Sequence, residues 1–558
     1  MPAMIHTYTP GVFPALLKSG LWREGDGLKL MHKPGFRPPN DFNTAAAVGS
    51  PLERLLKELR CPFYIDRLQG GMGYTNRYPY DPALTRHYRA LLGDRFWGFQ
   101  MHEWASNFNS DRERILALAR KEGVRLTDPD EKARFWKRVT EKELPLFLEA
   151  YTAEEYAALP LPETLGGFLR AAEALYALCA RETEGLLLPA DSYFMAPRTE
   201  LKYGAKRLTP EMGWQIPELR IQTAYTRGMA RAAGVPWGVY YECWQRTNGE
   251  ALSIPYSLRT GQDEWQEDLL HRGCGADLPF ERREHGGSSL SLMARAWRYA
   301  YFSGAASFAE EYGVCNTFRS LEDATLSPYG ETKREFLRFA EAFPDLGEPY
   351  TPMAVVLPAD LPMLDVSLDG RYLGWPVSDP ACPAPARDPA KFKARLAAVF
   401  GTRGKYGEHS HVLRPGGLPG VFDIVHADMT RALDRYDHFI DLTGDPAFAK
   451  TRSAVTPEEA DRILDGLLPC RIGGGIFTAY NRARGCWYVL AMNNDGISHD
   501  GFLPDVKHPE ATAAAPVRLR TPGKKIEKAA GDGTLALDGA DAQIRLEAGA
   551  WILLRIAE

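Results

Sequence analysis

Residues 217–244 read PELRIQTAYTRGMARAAGVPWGVYYECW. Residues 217–234 have the apolar spacing of a helix, and VPWGVYYECW follows as a short apolar strand ending on an acid, Glu242. A carboxylate among large uncharged neighbours fits the end of a buried strand, where the packed run gives way to a loop.

The same grammar recurs in both directions. Upstream, SPLERLLKELR (50–60) feeds CPFYIDRLQGG, which carries Asp66, and PALTRHYRALLGD (82–94) feeds RFWGFQMHEW (95–104), which carries Glu103. SDRERILALARKEG (110–123) reads as a capped helix, followed by a charged helical insertion over 127–160. TLGGFLRAAEALYALCARETEG (164–185) leads into LLLPADSY, and RTELKYGA leads into KRLTPEMGW with Glu211. Downstream, SLSLMARAWRYAYFSGA (289–305) leads into ASFAEEYG with Glu310 and Glu311. Alternating helices and strands imply a parallel α/β sheet. Acids at the C-terminal ends of its strands favour a (β/α)8 TIM barrel, whose active site is built at that face. A doubly wound sheet is the alternative, but neither G-x-G-x-x-G nor G-x-x-x-x-G-K-[ST] is present to support it.

If ASFAEE is strand eight, the count runs backwards through WGVYYE as seven, KRLTPE as six, LLLPAD as five and FWGFQMHE as four. Strands one to three must then fit into a short N-terminal stretch that gives weak signals; if the count slips, Glu103 ends strand two and a strand hides within 243–287. Beyond the barrel, MAVVLPAD, VFDIVHAD (421–428) and HFIDLTGD (438–445) are strands of a second, small α/β domain, with helices near 389–400 and at 456–468. From residue 470 short alternating strands between Gly, Asp and Asn turns imply an antiparallel β-sandwich. The expected domains are residues 1–348, 349–469 and 470–558.

Composition narrows the function. The 558 residues are 25% charged with a formal net charge of −5, and no half is strongly basic, so nucleic acid is not an expected partner. No apolar run is long enough to span a membrane. The N-terminal MPAMIHTYTPGVFPALL lacks the pattern of a signal peptide, so the expected location is cytoplasmic, or exported with a leader absent from this sequence. Eight scattered cysteines with no C-x-x-C pair read as buried free thiols. H-E-x-x-H and G-x-S-x-G are both missing, so no metal, cofactor or serine nucleophile is expected.

A ring of carboxylates at a barrel mouth suits glycoside hydrolysis, which needs one carboxylic acid to protonate the leaving oxygen and one carboxylate to attack the sugar or activate water. The layout resembles clan A glycoside hydrolases, and the family 42 β-galactosidase architecture in particular. That resemblance rests on domain order and on Glu103 and Glu242 ending strands four and seven. It implies a retaining mechanism, with Glu103 as acid/base and Glu242 as nucleophile. It also implies a flavodoxin-like second domain, trimer formation through that domain, and substrate contacts from GAASFAEEYG. In the clan an Asn precedes the acid/base; here it is His102.

The remaining site candidates are substrate contacts: Glu211, Glu310, Glu311, Asp66, His102, Trp104, Tyr240, Trp244 and Tyr312. Glu211 or Glu311 could replace Glu103 as the acid. Each has a plainer reading. A lone strand-end Glu is commonly an ion-pair partner, a lone His a satisfied structural residue, and the aromatics core. Arg227 and Arg231 read as ion pairs on a helix. The alternatives to a retaining glycosidase are an inverting one, a non-catalytic carbohydrate-binding protein on a degenerate barrel, and a barrel lyase or isomerase.

Overall fold

The computed structural model describes residues 1–31, 42–69, 81–143, 164–193, 195–214, 216, 218–247, 251–255, 280–311, 313–361, 389–406, 413–539 and 541–558. Eight parallel strands form the barrel: β1 (Ala3–Thr7), β2 (Gly27–Met31), β3 (Phe63–Gln69), β4 (Phe96–His102), β5 (Leu187–Ala190), β6 (Glu211–Gly213), β7 (Val239–Glu242) and β8 (Ser307–Glu310). They pair in the order β5-β4-β3-β2-β1-β8-β7-β6. The β5–β6 seam lacks a ladder but is bridged by the Glu211 N–H on the Asp191 carbonyl at 3.0 Å and the Thr209 hydroxyl on the Pro189 carbonyl. The backward strand count is therefore correct. Strands one and two do lie in the N-terminal stretch.

The helices that cover the barrel include α1 (Val12–Ser19), α2 (Pro51–Leu59), α3 (Pro82–Leu92), α4 (Trp104–Lys121), α5 (Pro129–Glu143), α6 (Leu165–Glu182), α7 (Ala196–Lys202), α8 (Leu219–Ala233), α9 (Leu290–Phe302) and α10 (Pro328–Ala342). Several start on designed-in caps. The Ser50, Asp81, Thr164, Ser289 and Ser327 side chains each accept a backbone N–H of the first turn. Helix α4 differs from expectation. It begins directly after Glu103, so Ser110 lies inside it and is no cap.

Strand alternation divides the core in two. Ile5, Tyr64, Leu188, Ala190, Tyr240 and Ala309 form a separate cluster that fills the barrel lumen. Their sequence neighbours, such as Met4, Phe63, Ile65, Val239, Tyr241 and Phe308, face outward into the main core beneath the helices.

After the barrel, β9 (Met353–Leu357), β10 (Phe422–His426) and β11 (His438–Asp441) form a parallel sheet in the order β10-β9-β11. That order matches the start of a flavodoxin-like sheet. Helices α11 (Pro389–Phe400) and α12 (Pro457–Leu467) accompany it. The C-terminal region forms a four-stranded sheet and, with Glu348–Pro349 added at one edge, a five-stranded one, antiparallel throughout. The barrel, α/β and antiparallel parts thus follow in the order the sequence implies. Among the described residues no helix is long and apolar enough to cross a membrane.

Candidate active site

The site is set by how β4 ends. Gly98 has φ +89° and sits at a register shift against β3. A Cβ there would lie 2.2 Å from the Leu186 carbonyl oxygen, so only glycine fits this bulge. Before it, Trp97 packs on the lumen cluster; after it, Phe99 and Met101 face the helices. The bulge thus flips the pleat, and Gln100 and His102 point inward. Glu103 then takes a left-handed conformation, φ 45° and ψ 45°, and becomes the N-cap residue of α4.

Its carboxyl turns to the barrel mouth. The Ser106 hydroxyl donates to Glu103 Oε1 at 3.2 Å, and His102 Nε2 lies 3.6 Å from Glu103 Oε2. His102 Nε2 is also 3.9 Å from Glu311 Oε1. The other oxygen of Glu311 accepts from the Trp244 indole N–H at 2.7 Å. The Glu311 backbone is fixed by its N–H on the Tyr241 carbonyl, and by Asn316 Nδ2 and the Cys243 thiol on its own carbonyl. Glu211 completes this side, its carbonyl accepting from Gln222 Nε2 at 2.7 Å.

One nitrogen of His102 and one oxygen each of Glu211 and Glu311 lie within 4.8 Å of one another. That donor set could hold a divalent cation, though ligands of a bound ion sit closer, roughly 3 Å apart. Sequence spacing gave no sign of it, because the donors come from β4, β6 and the end of β8.

Glu242 shares the inward face of β7 with Tyr240, two residues earlier. It pairs in register with Gly213 of β6. A Cβ on Gly213 would stand 2.5 Å from the Glu242 carbonyl oxygen and 2.6 Å from its Cβ, so glycine is required for β6 to approach. Below, the Tyr240 hydroxyl donates to Asp66 Oδ2 at 3.0 Å. Asp66 is also salt-bridged to Lys29, whose ammonium lies 4.7 Å from the Tyr240 ring centre. Of the acids, Glu103 has the most accessible side chain, at 24%, while Glu211, Glu242 and Glu311 are nearly covered.

The structure thus brings together Glu103, His102, Glu211, Glu311 and Trp244, and sets Glu242 at the end of β7, the neighbour of β6. It separates others. Glu310 alternates with inward-facing Ala309, so it points to the helices and is salt-bridged to Lys333 of α10. Trp104 opens α4 on the outer side, with its indole N–H donated to Glu200 at 3.1 Å. Neither is placed to touch a ligand at the mouth. Asp66 and Tyr240 face inward but are fully buried partners of each other, supporting the floor of the site. Tyr312 lies outside the described residues.

Sequence reading missed Lys29, Asp191 and Glu200. Asp191 follows β5 just as Glu103 follows β4, so the strand-end pattern itself could have flagged it. Burial pushes its carboxyl up to about 7, with the Ala105 and Tyr193 amides opposing and the charge of Glu103 adding.

No family model and no curated protein matches the chain. Solved structures similar to it include the catalytic module of a family 98 glycoside hydrolase from Streptococcus pneumoniae TIGR4, at 9% identity and a TM-score of 0.45, covering 100% of this chain and 98% of that one. Gan42B, a GH42 β-galactosidase from G. stearothermophilus, is 9% identical with a TM-score of 0.44 over 100% and 98%. A β-galactosidase from Bacillus circulans sp. alkalophilus is 9% identical with a TM-score of 0.39 over 100% and 99%.

Proposed function

We propose that the chain is a glycoside hydrolase acting on an oligo- or polysaccharide, with Glu103 and Glu242 as its catalytic pair. One observation carries this reading: carboxyl groups from β4, β6 and the end of β8 gather around His102 at the mouth of one barrel, and Glu242 ends β7, the strand between β6 and β8. Oxocarbenium chemistry needs negative charge close to the anomeric carbon and a proton close to the leaving oxygen.

A Glu242 oxygen attacks the anomeric carbon as the glycosidic C–O bond breaks. The electron pair of that bond goes to the leaving oxygen, which takes the Glu103 proton. Water, deprotonated by Glu103, then displaces Glu242 and releases the sugar. His102 and Trp244 orient Glu103 and Glu311, and Glu211 and Glu311 accept sugar hydroxyls.

The test is a panel of nitrophenyl glycosides and natural polysaccharides, with proton NMR of the first-formed anomer. Retention of configuration is expected. Glu242→Gln should lower turnover by roughly 10² or more, and Glu103→Gln should do so for substrates with poor leaving groups. Full activity in both variants excludes the pair. Chelation with EDTA should leave the rate unchanged; a loss restored by a divalent cation would instead put a metal on His102, Glu211 and Glu311.

A further inference from the structure

We infer that Asp191, seconded by Glu200, is the positioning residue of Glu103. Its carboxylate caps helix α4 from a neighbouring strand, so that the Glu103 side chain is turned to the barrel mouth instead. The inference rests on the glycosidase reading above and deepens it.

The first turn of a helix leaves its N–H groups unbonded, and the N-cap side chain ordinarily accepts one of them. Glu103 occupies the N-cap of α4 and its side chain makes no such bond. The Ala105 N–H goes to Asp191 Oδ2 at 2.7 Å, and Asp191 Oδ1 takes the Tyr193 N–H at 2.8 Å. The Glu103 N–H is bound by the Ala190 carbonyl at 2.5 Å, and the Asp191 carbonyl takes the Glu211 N–H at 3.0 Å. Residues 190 and 191 therefore hold the backbones of two site acids at once. Glu200 of α7 grips the same turn through the Trp104 indole at 3.1 Å. Both supporting acids are buried, at 2% and 3% exposure. Burial lifts Glu200 to about 8, as it lifts Asp191 to about 7. The N–H donors of that turn oppose the rise, the Ala105 and Tyr193 amides at Asp191 and the Trp104 indole at Glu200. Neither touches the substrate in this scheme; both act through Glu103.

The experiment compares kcat/KM of Asp191→Ala on two glycosides of the sugar that the wild type cleaves, one with a dinitrophenyl and one with a methyl leaving group. Dinitrophenolate leaves without a proton, whereas methanol needs one. A displaced acid should cost roughly 10²-fold on the methyl glycoside and under about 3-fold on the dinitrophenyl one. Glu200→Gln keeps an acceptor for Trp104 and should stay near wild type, while Glu200→Leu should repeat the leaving-group bias more weakly. If circular dichroism shows that Asp191→Ala does not fold, Asp191→Asn, which keeps one acceptor, is read by the same ratio. Equal losses on the two glycosides, or none on either, overturn the inference while the glycosidase reading stands. A wild type inert on every glycoside refutes that reading instead, and the inference falls with it.

Discussion

Glu103 and Glu242 reach the mouth by different means, and the sequence displayed only one of them. Glu242 follows the alternation of its strand, so a count of strands and a pleat suffice to place it. Glu103 depends on the Gly98 bulge, which reverses the pleat and sends His102 inward. It then depends on a left-handed turn that a non-glycine residue adopts only at a cost of roughly 1 kcal/mol. No residue pattern announces that phase change, and an unbroken pleat would send both His102 and Trp104 to the face opposite Glu103. Glu310 and Glu311 pose the same problem, because tandem acids give no phase and only Ala309 in the lumen settles it. The bulge is testable. Gly98→Ala would push a Cβ onto the Leu186 carbonyl and force β4 to shift. It should destabilise the fold by about 2 kcal/mol or more and lower kcat more than Glu211→Ala does. Thermal melts and kinetics check this; a wild-type Tm and rate would show the bulge to be dispensable.

At the scale of elements, helix α8 joins barrel to α/β layer. It follows β6, and Leu219 to Ala230 are all buried. Its outer face meets β10, where a Cβ on Gly228 would come 2.4 Å from the Ile424 carbonyl oxygen. Arg227 and Arg231 converge on Asp423, at 2.5 and 2.8 Å, and Thr351 and Tyr436 add hydroxyl bonds to it. Their ion pairs were legible from the sequence, but their burial was not. An amphipathic barrel helix normally turns its charges to water, and only the second layer removes the water here. Strands β1 and β2 were illegible for a related reason. GLKLM carries a lysine on the lumen face, acceptable only because Asp66 of β3 neutralises it. Cutting one partner from a buried pair leaves a stranded charge, which costs about 3–5 kcal/mol. Arg227→Met should therefore destabilise by that order in denaturant melts, with the surviving Arg231 holding it to the lower end. A change below about 1 kcal/mol would mean that water reaches Asp423.

Across the whole molecule, that interface makes stability depend on pH. His426 ends β10, donating Nδ1–H to the Pro358 carbonyl at 2.9 Å and accepting the Tyr225 hydroxyl of α8 on Nε2 at 2.8 Å. Burial, then the positive charge of Arg198, holds its pKa down at about 4. Protonation would remove the acceptor that Tyr225 uses and place a charge in the dry interface. The unfolded chain, with an ordinary histidine near 6.5, binds the proton more readily. The stability from neutral His426 is thus complete above about pH 6.5 and is lost as pH falls toward 4, by up to about 3 kcal/mol. Buried His6, also lowered to about 4 by burial and Lys333, loses stability in the same window. Asp423 behaves differently. Burial alone would raise its pKa, but Arg227 and Arg231 outweigh it and hold the carboxyl below its usual range. Its contribution persists until the pH drops below that of an ordinary carboxylate. Tm measured from pH 7.5 to 4 should therefore fall mainly between 6.5 and 4. His426→Gln, which keeps a donor and an acceptor but cannot titrate, should be less stable at pH 7.5 and lose about half of that slope. An unchanged slope would mean that the imidazole titrates at its ordinary pKa in the folded state, so that its protonation costs the interface nothing.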